Sequence, residues 1–95
     1  VHSNRPLSDD MNGRVYAVNH PKNIVAIETE LHGFTIVEIQ APADVEIGDE
    51  IGWDSDLEMG AQRYNNLSTS RCIEVVVISH FVSRSSVRQH MAIRD

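Results

Sequence analysis

Ile24-Val25-Ala26-Ile27-Glu28-Thr29-Glu30-Leu31, His32-Gly33 and Phe34-Thr35-Ile36-Val37-Glu38-Ile39 are the segments that decide the fold. Two β-branched apolar runs flank a short turn in which Gly33 supplies positive φ, the pattern of an antiparallel hairpin. Val25, Ile27 and Leu31 fall on one face of the first run. Ile24, Ala26, Glu28 and Glu30 fall on the other, which becomes polar towards its end.

Working towards the N-terminus, His20-Pro21-Lys22-Asn23 breaks the chain, because Pro21 donates no ladder bond and biases His20 towards extended backbone. Before it, Arg14 to Asn19 (RVYAVN) reads as a strand, with Asn12-Gly13 as a turn signal. These three strands form a meander whose short connections favour antiparallel neighbours. Residues 1–10 (VHSNRPLSDD) read as a flexible leader or tag remnant, leaving 11–95 as one small domain.

Working towards the C-terminus, Ala41-Pro42-Ala43-Asp44 is a break. Val45-Glu46-Ile47 and Glu50-Ile51-Gly52-Trp53 alternate apolar and polar residues around a tight turn at Gly48-Asp49. Residues 54–70 are polar with weak periodicity and read as a long excursion holding one short helix. Cys72 to Ile78 (CIEVVVI) is apolar on both faces and reads as a central, doubly covered strand. Ser83 or Ser85 caps a short terminal helix through Met91 and Ala92, with Val87 and Met91 on one side. The expected fold is all-β: a small five-stranded antiparallel barrel of OB or cold-shock-like type with a short C-terminal helix. An SH3-like barrel satisfies the same pattern.

The layout Gly13-Arg14-Val15-Tyr16-Ala17-Val18-Asn19, then Lys22-Asn23-Ile24-Val25-Ala26-Ile27, then Thr35-Ile36-Val37-Glu38-Ile39 resembles the start of cold-shock domains, a branch of the OB fold. More loosely, residues 11–92 are similar to short bacterial proteins. The cold-shock resemblance implies a barrel whose strand aromatics stack nucleobases, at roughly 1–3 kcal/mol per base. At the matching positions this chain carries Ile24, Ala26 and Ile36 for three Phe residues, Glu38 for a His and Ala17 for a Trp. The resemblance therefore carries the fold and not the stacking platform.

Charge is informative by position. The net charge is −6, and residues 23–62 hold ten acids with no Lys or Arg. Arg63, Arg71, Arg84, Arg88 and Arg94 follow, opposed by Glu74 and Asp95. An acidic middle is the wrong sign for tracking phosphates, so nucleic acid is disfavoured as a partner. No apolar run approaches the ~18 residues of a membrane span. The single cysteine, Cys72, removes any disulfide framework and multi-cysteine zinc site, and its place in an apolar strand predicts a buried, inert thiol. A lone free thiol agrees with a reducing, cytoplasmic setting.

Motifs for catalysis are weak. Asp54-Ser55-Asp56-Leu57-Glu58 opens like a calcium loop, but Gly60 is seventh rather than sixth and the twelfth residue is Asn65 rather than Glu. Five histidines (His2, His20, His32, His80, His90) lack metal-ligand spacing. No Gly-x-Ser-x-Gly element or phosphate-cradling glycine pattern occurs. The expectation is a non-enzymatic module with no metal or cofactor.

Its candidate binding surface is Trp53, Arg63, Tyr64, Arg71 and Tyr16, aromatics beside arginines as at interface hot spots. The competing reading has Trp53 and Tyr16 plugging the barrel. The expected partner is a protein or a second copy, with basic Arg84 and Arg88 facing another copy's acidic stretch. The alternative is single-stranded nucleic acid bound around Arg63, Tyr64 and Arg71.

Overall fold

Six antiparallel strands close into a barrel in the order β1-β2-β3-β6-β5-β4 and back to β1. They are β1 (Met11–Asn19), β2 (Ile24–Thr29), β3 (Phe34–Ile39), β4 (Glu50–Trp53), β5 (Gly60–Asn66) and β6 (Arg71–Val82), followed by helix α1 (Val87–Ala92). The architecture comes from a computed structural model that describes residues 11–40, 44–54 and 56–92. The leader read at 1–10 and the break at 41–43 lie outside the described residues. Two three-stranded meanders, β1-β2-β3 and β4-β5-β6, are joined by the β3–β6 and β1–β4 ladders. No described helix is long and apolar enough to cross a membrane.

The expected count of five strands is corrected to six. The polar stretch read as an excursion with a short helix contains β5, whose seven residues pair with β6 from Gly60↔Val77 to Asn66↔Arg71. Its inward positions are Gly60, Gln62, Tyr64 and Asn66, so period-two burial exists without period-two hydrophobicity. Conversely, Val45–Ile47 is not a strand: Val45 is buried, and the chain then turns at Glu46–Asp49. Asn12-Gly13 is not a turn but part of β1. A Cβ on Gly13 would lie 2.4 Å from the Glu28 carbonyl oxygen, so its glycine permits close approach of β2.

Two apolar clusters sit on opposite sides of the sheet. Inside the barrel, Val15, Val25, Ile27, Val37, Ile51, Trp53, Tyr64, Ile73, Val75 and Val77 pack together. Outside it, Ile24, Ala26, Phe34, Ile36 and Val82 are covered by Val87 and Met91 of the C-terminal segment. This explains why β2 and β3 are apolar on both faces.

The double cover of β6 is only partial, since Cys72 and Glu74 are exposed. The prediction of a buried Cys72 thiol is thereby corrected: it lies near the start of β6 and is exposed. Leu31, expected in the strand on the same face as Val25 and Ile27, lies beyond the end of β2 in the turn and is exposed.

Candidate binding groove

The groove begins with a bulge. Val15 pairs with Ile27 and Ala17 with Ala26, so Tyr16 is an extra residue in β1. Val15 belongs to the inner core and Ala17 packs on the outer one, which places the bulge at the change of face. Bulges re-aim side chains in this way. The Tyr16 ring meets Phe34 edge-on at 5.0 Å and remains 41% exposed.

Arg84 fixes the next wall. Its guanidinium lies 5.4 Å from the Tyr16 ring centroid and 5.2 Å from that of Phe34. Its Nη2 donates to Glu28 Oε2 at 2.8 Å. Two aromatic faces and a carboxylate thus restrain an otherwise mobile side chain.

Asn19 ties the far end together. Its Oδ1 accepts from the Lys22 amide at 3.3 Å, capping the 3-10 turn His20–Lys22. Its Nδ2 donates to the Met91 carbonyl at 2.8 Å, joining the end of β1 to α1 across 72 residues. A six-residue helix is too short to persist alone. Val87 and Met91, each contributing ~1.5–3 kcal/mol on full burial, dock it on the outer core.

Between β1 with its 3-10 turn and the segment Arg84–Met91 lies a groove of about 880 Å3. Ala17, Val18, Val87 and Met91 contribute its apolar lining; Tyr16, His20, Arg84 and Arg88 contribute aromatic and basic groups. Among the described residues no carboxylate lines it, and Glu28 reaches it only through Arg84, although the chain holds 14 acids against eight bases. Arg88 is exposed and makes no ion pair among the described residues. Such a surface suits an anionic ligand with an apolar component.

Of the five residues expected to form a binding surface, only Tyr16 borders this groove. Trp53 and Tyr64 are wholly buried and stack at 4.2 Å with rings 3° from parallel. Trp53 Nε1 donates to the Asp56 carbonyl at 2.7 Å. The Tyr64 hydroxyl has no partner among the described residues, and burial pushes its pKa up. Arg63 lies on the exposed face of β5 opposite Glu74, at 3.5 Å. Arg71 is exposed at the start of β6. Tyr64 points inward while Arg63 points outward, so the three residues of the proposed nucleic-acid surface do not share a face.

Arg84 and Arg88 read as a solvated helix face in the sequence. Apolar outward positions at Ile24, Ala26 and Ile36, together with Val87 and Met91, were the available signal that the helix docks there.

His80 is the other residue with an organised environment. Its Nε2 lies 3.2 Å from the Glu58 carbonyl, which only accepts, so Nε2 carries the proton. Nδ1, 2.8 Å from Thr35 Oγ1, then accepts from that hydroxyl. Desolvation lowers the His80 pKa; the Glu58 carbonyl opposes this, His32 adds to it and Asp56 opposes it. Among the described residues no group of three or more His, Cys, Asp or Glu side chains is arranged to hold a metal ion. Comparison of the chain with protein-family models, with curated proteins and with solved structures finds no match.

Proposed function

We propose that this protein is a non-enzymatic interaction module that binds protein through the groove between β1 and α1. The observation that carries this reading is the composition of the groove: among the described residues it has an apolar lining, two arginines of which one is paired with Glu28, and no lining carboxylate, in a chain of net charge −6. The partner is an acidic protein segment bearing an apolar side chain. The exposed thiol of Cys72 supports a cytoplasmic setting. The meander β1-β2-β3 supports OB-like and SH3-like kinship alike, while six strands rather than five weigh against extending the OB-like reading to the whole barrel.

A second reading has one observation in its favour. Tyr16 offers an exposed ring beside Arg84, the combination that stacks single-stranded bases. One titration separates the two. A short peptide of alternating glutamate and leucine, and separately an oligothymidylate, are added to the 15N-labelled protein. Peptide-induced shifts confined to Tyr16–Pro21 and Arg84–Met91 are expected. Peptide shifts elsewhere, or none, overturn the protein reading; shifts in the groove with the oligonucleotide alone select the second.

A further inference from the structure

The turn Glu46–Asp49 is pinned on every side. The Glu46 amide donates to Asp49 Oδ2 at 3.0 Å, and that oxygen also accepts from the buried Asn66 Nδ2 at 2.9 Å. The Gly48 amide donates to the Val15 carbonyl, and the Val15 amide to the Asp49 carbonyl, both at 2.9 Å. Yet this rigid turn holds Ile47 69% exposed, beside the exposed carboxylates of Glu46 and Asp44. An apolar knob already fixed in place costs little entropy to bury in an interface.

The knob matches the groove in chemistry. Ile47 is suited to the half-buried apolar lining at Ala17 and Val18, and Glu46 to Arg88, which is exposed and makes no ion pair among the described residues. The two features also adjoin: the turn bonds to Val15, and the groove starts at the next residue, Tyr16. We propose that the occupant of the groove is a second copy of this chain. The turn of each copy enters the other's groove around a twofold axis beside the Val15–Tyr16 segment. This closes the pair, because each copy gives one knob and one groove. The inference rests on the groove reading above and names its partner.

Sedimentation velocity on the full chain, over a wide concentration range at low and high salt, tests it. The expected result is a dimer whose dissociation constant rises with salt. Ile47→Asp and Arg88→Glu, at two exposed positions, each raise that constant by about tenfold or more. An equimolar mixture of the two variants associates more tightly than either alone, because one intact knob meets one intact groove. A monomer throughout, growth beyond dimers, or a dimer unmoved by both variants overturns the proposal. A mixture no tighter than its components does the same. If the wild type is monomeric while the glutamate–leucine peptide still shifts the groove residues, the second copy fails and the groove stands. Failure of the peptide as well removes both.

Discussion

The indole of Trp53 lies flat against the ring of Tyr64 at 4.2 Å, and the pair sits inside the barrel with no solvent exposure. In a chain with five aromatic residues, this stack supplies much of the volume that fills the interior. Trp53→Ala is expected to cost about 3–5 kcal/mol in urea unfolding. Tyr64→Phe keeps the stack and deletes a buried hydroxyl that has no partner among the described residues, so stability is expected to hold or to rise by up to about 1 kcal/mol. A marked loss in Tyr64→Phe would show that the hydroxyl is bonded.

His80 makes stability depend on pH with a definite sign. Its folded pKa lies below the ordinary 6.5, so the unfolded chain binds the proton more readily. Stability is therefore full above 6.5 and declines as pH falls below that value towards the folded pKa. The urea midpoint of the wild type should drop on acidification more than that of His80→Gln. Equal slopes would remove His80 as the source.

Gly13→Ala forces a methyl group to 2.4 Å from the Glu28 carbonyl oxygen and 2.8 Å from Ile27 Cγ2. Backbone on a paired strand cannot swing aside as a side chain does. A loss of at least about 2 kcal/mol is expected, read from chemical denaturation. Gly48→Ala provides a contrast, since nothing lies within 4 Å of its added methyl and only its φ of +98° is strained.

Asn19→Ala removes the cap of the 3-10 turn and the bond to the Met91 carbonyl. Global stability should fall by about 1–2 kcal/mol. Amide exchange in α1 should accelerate more than exchange in β6. Uniform acceleration would mean that α1 opens only when the barrel does.

The first meander and the terminal helix were legible in the sequence because apolar side chains mark both faces of Ile24–Ile27 and Phe34–Val37. Strand β5 was not. Its inward residues include Gln62, held by the Met59 carbonyl, and Asn66, held by Asp49 and the amides of Ser68 and Thr69. Hydrogen bonds satisfy these polar groups where hydrophobicity would otherwise have signalled burial. Tyr16 stood out in the sequence as a candidate contact, but the groove it borders did not. It depends on a one-residue bulge and on where a six-residue helix docks, and both are tertiary choices. Trp53 and Tyr64 drew attention as scarce aromatics, and scarcity marks a core filler as readily as a contact surface.

The groove has one permanent wall and one conditional wall. Strand β1 belongs to the closed sheet, whereas among the described residues α1 is held by two apolar side chains and by the hydrogen bond that Asn19 Nδ2 donates to the Met91 carbonyl. Sub-global opening that lifts α1 away therefore abolishes the groove without unfolding the barrel. Occupancy and helix docking are then thermodynamically linked: whatever fills the groove slows amide exchange in α1, and whatever loosens α1 weakens the ligand by the same free energy.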